Sequence, residues 1–468
     1  MKKGEGKYLY RKICTFLLVL LQTSMFFFVW YRFAEKNNQT GHLLGIANLG
    51  MATLLYIAAF FFIGVALRAF RIGVERIASV LASIALTVIS TNIIEEFLSL
   101  AITGQFRFFL DLLWRYALLS VAQIFILCPL AYVMIVIYRK VFPPLQVLEI
   151  HGEKEHGLSV KVNGIHYKYH ISEMVLYTAP EEELREKIQN CDAVLIGDVP
   201  AHEKNRIMKY CFDIDKRVYV VPSIGDIITK SSEELNLFDT PLFLCRNMGI
   251  RTSERVIKRF FDLFLSLIAL IVTSPILLIT AIAIKAEDGG PVFFKQERCT
   301  IGGKKFMILK FRSMIVDAEK DGRPHPAGEK DDRITKVGHV IRATRIDELP
   351  QLINIIKGEM SIVGPRPERV EHVEKYTKDI PEFVFRYKVK GGLTGYAQVY
   401  GKYNTTALDK LKLDLIYIMN YSILLDVQII FETVKILFQK ESTEGFTEER
   451  VAEMHDASEN EETAEVDK

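Results

Sequence analysis

The chain has 468 residues, half of them hydrophobic, with 59 basic and 57 acidic side chains and a formal net charge of +2. With a quarter of its residues charged, it is neither a globally disordered chain nor a collagen, and its length suggests about three domains. Six cysteines (Cys14, Cys128, Cys191, Cys211, Cys245, Cys299) lie far apart with no C-x-x-C pair, which argues against a zinc site or a disulfide framework and fits a reducing compartment.

Four long apolar runs come first, roughly Ile13–Phe33, Leu44–Leu67, Ile77–Leu100 and Ala117–Tyr138. Each is long enough to cross a hydrocarbon core, which takes about 20 helical residues. The first has no small-residue cleavage site, so it does not read as a signal peptide. Lys2, Lys3, Lys7, Arg11, Lys12, Arg68, Arg71, Arg76, Arg139 and Lys140 fall on one side of these runs. Only Arg32, Lys36, Arg107 and Arg115 fall on the other. The positive-inside preference then places the N-terminus and the chain after Lys140 in the cytoplasm. Gln22, Asn48 and Gln123 read as packing groups, and the runs read as free of the central charges that pumps and channels use.

Residues 146–250 are soluble in character. Ala193–Gly197 and Arg217–Pro222 are short strand patterns, and the stretch between them, about His202–Asp213, is helical. Strand, helix, strand in that order predicts a βαβ unit with parallel strands. The G-x-G-x-x-G phosphate loop is absent, since Gly152, Gly157 and Gly164 have the wrong spacing. The segment reads as a degenerate nucleotide-binding-like domain with a structural or regulatory role.

A fifth apolar run extends from Phe260 to Ile284, with Lys258 and Arg259 before it and Lys285 after it. Ser274-Pro275 near its middle removes a backbone donor. Basic flanks on both sides pull both ends to the cytoplasm. A re-entrant helix–break–helix satisfies both features, and a kinked span remains compatible with the first.

Residues 286–440 carry the dense polar motifs. Asp347 and Glu348 are adjacent carboxylates just before Pro350, which is tolerated in a first turn, so the pair is expected to open a helix running to about Lys357. Acids there complement a helix dipole without any further role. However, Arg342, Arg345 and Arg366 are close in sequence or sit in a Gly-Pro-Arg-Pro turn, and arginine forks fit phosphate oxygens. A carboxylate among them can attack phosphorus, and its neighbour can hold Mg²⁺. Asp414, Tyr417 and Asn420 form a polar face at helical spacing. In Ile423–Phe438, Ile429, Ile430, Val434 and Leu437 oppose Glu432 and Lys435, which suits either a docked core helix or an interfacial one. Residues 441–468 carry eleven acidic and two basic side chains, a net of −9 that leaves +11 on the rest. Such a tail reads as disordered.

Seven strings carry a resemblance: Lys258–Leu263, Ser274-Pro275, Asp288–Arg298, Lys310–Met314 (K-F-R-S-M), Asp347–Leu352 (D-E-L-P-Q-L), Ser361–Pro367 (S-I-V-G-P-R-P) and Leu393–Val399 (L-T-G-Y-A-Q-V). In this order, from about Ser253 to Phe438, the chain resembles the catalytic domain of the monotopic bacterial phosphoglycosyl transferases, also called polyprenyl glycosylphosphotransferases or bacterial sugar transferases. The region in front resembles the long members, those that start exopolysaccharide, capsule or O-antigen units. Where many members read P-G-L-T-G-W-A-Q-V-N-G-R, this chain has Gly391, Tyr396, Tyr400 and Lys402 at variant places. These variants put any sugar assignment in doubt.

The resemblance implies transfer of a phospho-sugar from a UDP-sugar to undecaprenyl phosphate, with release of UMP. Asp347 matches the nucleophile and Glu348 its Mg²⁺-associated partner. Arg342 and Arg366, with Lys310 and Arg312, match the phosphate-binding set, and Ser274-Pro275 the break of a re-entrant helix. A fifth full span would put Asp347 outside the cell, away from nucleotide sugars. The expected fold is therefore a membrane protein of mixed class: a four-helix transmembrane bundle (1–145), a degenerate Rossmann-like α/β domain (146–250), a mainly α monotopic catalytic domain (251–440) with a re-entrant helix at 260–284, and the acidic tail (441–468). The expected location is the inner membrane, with the catalytic domain on the cytoplasmic face. Expected partners are the UDP-sugar, undecaprenyl phosphate and an anionic membrane. Nucleic acid is not expected, and a homo-oligomer is compatible with the sequence. A non-catalytic scaffold or nucleotide sensor, and a polytopic transporter, are the competing readings.

Overall fold

The computed structural model describes residues 3–37, 45–152, 159, 162, 164–237, 239–245, 249–316, 318, 331–401 and 405–437. The acidic tail, Lys402, Gly157 and Phe438 lie outside the described residues. The chain forms two compact units, Met1–Pro222 and Ser223–Lys468.

The first unit begins with four long helices: α1 (Lys3–Asn37), α2 (Ile46–Ala66), α3 (Ile77–Thr103) and α4 (Phe109–Val141). All four are long and apolar enough to cross a membrane. Phe26 stacks on Tyr56 with centroids 4.0 Å apart, and aromatic rings dominate one end of the bundle core. Many large apolar side chains remain exposed around the bundle, including Leu54, Phe62, Phe97 and Phe125, as lipid-facing surfaces require. The expectation of charge-free runs fails at Glu95 and Glu96, which lie inside α3 and are buried. Flanking aliphatic residues mask them in a hydropathy reading, because two acids barely alter the mean of a window that long.

The same unit contains strands β1 (Leu145–His151), β2 (Tyr169–Leu176), β3 (Ala193–Ile196) and β4 (Arg217–Val220), with helices α5 (Glu181–Asn190) and α6 (Ala201–Asp213). The predicted β3–α6–β4 unit is present, and its strands are parallel. The sheet order is β2-β1-β3-β4, and every pair is parallel. In such a sheet the ligand crevice belongs beyond the carboxyl ends of β1 and β3, where the order reverses. Here the two chain segments leaving those strands touch backbone to backbone. A Cβ on Gly152 would lie 2.1 Å from the Asp198 carbonyl oxygen.

The second unit starts earlier than residue 251. Ile224, Ile227 and Ile250 pack in one core with Val363, Phe383, Leu411 and Ile418. Helix α7 (Ile224–Lys230) and the hairpin β5 (Glu233–Leu237) and β6 (Thr240–Leu244) precede α8, which runs from Thr252 to Asp288. It stops at Gly289, a left-handed cap with φ +72°.

Helical structure continues through Ser274-Pro275. Pro275 cannot donate to the Ile271 carbonyl four residues back. The Ser274 hydroxyl donates to that carbonyl instead, at 2.7 Å. The pair is thus a matched loss and repair, which is how an apolar environment tolerates an interior proline. Ser274→Ala should therefore lower stability by about 1 kcal/mol, the net scale of one hydrogen bond on this exposed face of the helix. In a Pro275→Ala background the same change should cost far less, because alanine at that position restores the N–H. A double-mutant cycle on the purified protein checks this.

One face of α8 lies against the rest of the unit along its length. Asp262 accepts from the Ser361 hydroxyl at 2.8 Å and the Ile362 N–H at 3.0 Å. Ala269 and Leu270 pack on Phe306, Leu352 and Ile355. Beyond Pro275, Leu277, Ala281 and Ile284 pack on Phe311 and Ile341. The opposite face, with Phe260, Phe264, Ile271, Val272 and Ile279, is exposed.

Candidate active site

Strands β7 (Phe293–Cys299) and β8 (Lys305–Phe311) form an antiparallel hairpin. Along β8, Phe306, Ile308 and Phe311 are buried, and Lys310 extends from this apolar strand to the site. Next come α9 (Lys336–Ala343) and α10 (Gln351–Lys357). Glu287, in the last turn of α8, accepts from the N–H groups of Lys336 and Val337, capping the start of α9 with a negative charge.

Asp347 and Glu348 do not open the helix as expected. They occupy a 3₁₀ turn, Ile346–Glu348, and α10 begins only after Pro350. The turn is entered through Arg345, whose φ of +58° is left-handed, an uncommon and strained state for a side chain without special tolerance. Apolar contacts hold the turn at both ends. Ile346 packs with Ile284 and Ile341, and Leu352 packs with Phe306 and Ile308.

The two carboxylates have opposite surroundings. Glu348 Oε1 accepts from Lys310 Nζ and from Arg366 Nη2, both at 2.9 Å. Burial works against its charge, but Arg366 and Lys310 overcome that and hold the carboxyl well below the usual range. The same anion raises the Arg366 pKa. Burial depresses Lys310, with Glu348 opposing. Asp347 Oδ1 is buried and makes no hydrogen bond among the described residues. Burial, then the Glu348 charge, pushes the Asp347 carboxyl up, and Lys310, Arg345 and Arg342 oppose the shift. Thus one carboxylate is neutralised in place, while the other is exposed to charge and left without a partner.

Arg366 comes from the turn that follows β9 (Ser361–Val363). This strand pairs in parallel with β10 (Gly392–Thr394). A Cβ on Gly392 would lie 2.1 Å from the Gly364 nitrogen, so glycine lets the G-P-R-P and G-G-L-T-G strings run side by side. Two arginines brace the turn: Arg298 donates to the Pro367 carbonyl at 3.2 Å and Arg386 to the Arg366 carbonyl at 2.9 Å. Arg386 itself is buried and paired with Asp414 at 2.8 Å and Glu368 at 3.6 Å.

The structure therefore brings Asp347, Glu348, Lys310 and Arg366 together, with Arg342 within electrostatic reach of Asp347. Arg312 is placed differently. It is buried against Asp288, and a Cβ on Gly290 would collide with its guanidinium. Sequence reasoning assigned no role to Arg298, Arg386 or Glu368. Arg259 stood out only as a basic flank of the fifth apolar run, and Asp262 only as a letter of a string. Arg259 donates to the Ile355 and Ile356 carbonyls, the C-terminal end of α10, where a cation is favoured. Asp414 and Tyr417 are buried in partnerships with Arg386 and Asp426, and only Asn420 faces solvent. Ile429 lies in the core of this unit, so the helix Ile423–Leu437 docks there.

Gly391 also explains a local departure from the family string. Its N–H donates to Thr300 Oγ1 at 3.2 Å, and a Cβ would lie 2.5 Å from Pro367 Cγ. Introducing the proline common at this place should destabilise the protein by more than about 1 kcal/mol, read as a lowered melting temperature.

These features define a membrane-associated protein with a buried cluster of two carboxylates and the basic groups Lys310 and Arg366. The chain belongs to the bacterial sugar transferase family, whose sequence pattern matches residues 253–440. It is 44% identical over 220 residues to a UDP-glucose:undecaprenyl-phosphate glucose-1-phosphate transferase of Klebsiella pneumoniae, covering 45% of each chain. It is also 44% identical over 248 residues to a UDP-N-acetylgalactosamine-undecaprenyl-phosphate N-acetylgalactosaminephosphotransferase of Aeromonas hydrophila, covering 52% of this chain and 58% of that one. A UDP-glucose:undecaprenyl-phosphate glucose-1-phosphate transferase of Caulobacter vibrioides is 40% identical over 186 residues, 38% of this chain and 69% of its own. The chain spans about half the length of the first two relatives. Those two are equally similar yet named for different sugars, so identity alone does not select the donor.

Proposed function

We propose that the chain transfers a phospho-sugar from a UDP-sugar to undecaprenyl phosphate at the cytoplasmic face of the bacterial inner membrane. The products are undecaprenyl diphosphate-sugar and UMP, in the initiating step of a surface polysaccharide. The carrying observation is the split carboxylate pair, with Glu348 tied to Lys310 and Arg366 and Asp347 left unpartnered. An anion without hydrogen bonds in a partly buried site keeps its nucleophilicity, and the adjoining cations draw in a diphosphate.

In this reading an Asp347 oxygen attacks the β-phosphorus of the UDP-sugar. The bond from that phosphorus to the α-phosphate bridging oxygen breaks, and UMP leaves with the electron pair. A phosphate oxygen of undecaprenyl phosphate then attacks the same phosphorus and expels Asp347. Arg366 and Lys310 offset charge on the equatorial oxygens while Glu348 fixes their positions. Two steps replace one encounter of two polyanions.

Mg²⁺ suits this donor set only with help from substrate. Among the described residues no three carboxylate, histidine or cysteine side chains converge as a metal cage. Mg²⁺ characteristically takes one or two carboxylates plus substrate phosphates. Glu348 Oε2, the oxygen not committed to Lys310 and Arg366, would hold it, and the ion would neutralise leaving-group charge when bound.

The membrane position rests on α8. Lys258 pairs with Asp426 at 2.6 Å, and Glu287 caps α9 in the same folded body. A span would put these two ends on opposite sides of about 30 Å of hydrocarbon. A helix embedded from one side keeps both ends on the body and gives its exposed apolar face to lipid.

The test gives membranes containing the full chain a panel of UDP-sugars with undecaprenyl phosphate and Mg²⁺. One donor should release UMP, with loss on chelation by EDTA. Release from no donor at all would overturn the proposal.

A further inference from the structure

The four-helix region contains polar groups that the proposed reaction does not use. Helices α2 and α4 each pack against both α1 and α3, which leaves α1 and α3 as the diagonal pair across the bundle interior. The inward face of α3 is polar over most of its length. Ser83, Thr87, Thr91, Asn92, Glu95 and Ser99 are each at most 2% exposed.

Part of this polarity closes on itself. The Tyr56 hydroxyl accepts from Gln22 Nε2 at 2.7 Å and Gln123 Nε2 at 2.9 Å, and donates to Asn92 Oδ1 at 3.0 Å. Asn92 Nδ2 donates to Gln123 Oε1 at 2.8 Å. Six oxygens of α1 and α3 are left over; two of them, Thr23 Oγ1 and Glu96 Oε1, belong to residues that keep some exposure, and the other four are Gln22 Oε1, Thr91 Oγ1 and both oxygens of Glu95. These four belong to residues with 0% exposure, and none makes a hydrogen bond among the described residues. Thr91 and Glu95 are one turn apart on the same side of α3. Gln22 is tied to α3 through the Tyr56 hydroxyl, which donates to Asn92, the residue next to Thr91. No lysine or arginine pairs with Glu95 among the described residues. A carboxylate at this depth without a partner is costly, and an intramembrane acid is a functional group by default.

We propose that these oxygens hold one monovalent metal cation inside the bundle, tying α3 to α1 through Glu95, Thr91 and Gln22. A cation accepts several oxygen lone pairs at once. A proton on Glu95 would serve one oxygen and leave the Thr91 and Gln22 oxygens unmet. The single charge follows from the single carboxylate. Glu96 lies about 100° further round the helix, and no cluster of three acidic, histidine or cysteine residues is present among the described residues.

The two tryptophans of the chain, Trp30 and Trp114, both lie in this region, so indole fluorescence reports its unfolding alone. The full chain in dodecyl maltoside would be melted in LiCl, NaCl, KCl or N-methylglucamine chloride at equal ionic strength. One alkali cation should raise the indole midpoint by about 3 °C or more, saturably, as ligand linkage requires. Glu95→Gln should lose that response and Glu96→Gln should keep it. If Glu95→Gln does not fold, Thr91→Val and Gln22→Leu should each weaken the apparent affinity at least about tenfold. Equal midpoints in all four salts would overturn the proposal. So would a cation response that survives in Glu95→Gln, and a midpoint that follows pH but not the salt would assign a proton instead.

Discussion

Replacing Asp347 by asparagine is expected to abolish UMP release by at least about 10³-fold, as removal of a nucleophile does, and at the same time to raise the melting temperature at pH 7–8. Both effects have one source. Asp347 is a carboxylate whose charge is disfavoured by burial and by Glu348. Its folded-state pKa therefore lies above the unfolded value. The folded protein then binds the proton more tightly than the unfolded chain, so stability falls as pH rises through that window. Above it, the charged group is a standing cost that asparagine removes. The stability gain of Asp347→Asn should shrink as the pH is lowered through the raised pKa. Wild-type turnover should fall over the same interval, because only the carboxylate attacks phosphorus. A variant that released UMP normally would require another nucleophile. A variant that was less stable at neutral pH would mean that the Asp347 carboxylate has stabilising partners.

Glu348→Gln should behave oppositely in stability and lose about 10²–10³-fold in turnover, the scale for one electrostatic group at a charged transition state. Lys310 and Arg366 converge on one Glu348 oxygen, and the glutamate side chain is only 14% exposed. Removing the shared anion leaves two cations facing each other. The expected loss is about 1–3 kcal/mol, below the range for a fully buried pair because Arg366 reaches solvent. The folded-state pKa of Glu348 is depressed, so its stabilising contribution is complete above the unfolded value, near 4.3. It disappears only as pH falls well below that. The gap between wild type and Glu348→Gln should therefore be flat from pH 5 to 8, whereas that of Asp347→Asn changes wherever the pH crosses the raised Asp347 pKa. Melting curves of both variants across that range distinguish a working asymmetric pair from two acids that only complement a helix end.

Much of this architecture can be read from the residues alone. Spans follow from runs of about 20 apolar residues, because lipid imposes length and composition locally. The β3–α6–β4 unit follows from periodicity and spacing. Asp347, Glu348, Lys310 and Arg366 stood out because acids and bases cluster within strings of a known family. The 3₁₀ turn was less visible. A proline after two acids suits a first helical turn as well as the turn before one, and only the packing of Ile346 and Leu352 decides between them. Arg312 looked equivalent to Lys310 two residues earlier, but Asp288 at the end of α8 claims it. Glu95 was hidden by its aliphatic neighbours, and its burial depends on three other helices.

By itself the sequence determined the segments long and apolar enough to cross a membrane, the parallel α/β unit, the family and the residue types of the carboxylate pair. These depend on local composition, on repeat period, and on strings whose members are near one another in the chain. Only the tertiary structure decided that Glu348 is neutralised while Asp347 is not, that both ends of α8 return to one body, and that Glu95 faces an uncharged interior. Each of these depends on partners from distant segments: Lys310 and Arg366 for Glu348, Asp426 for Lys258, and Tyr56 and Tyr116 for Glu95. Hydrogen bonds and burial act over a few ångströms in space, and separation along the chain does not reveal that distance.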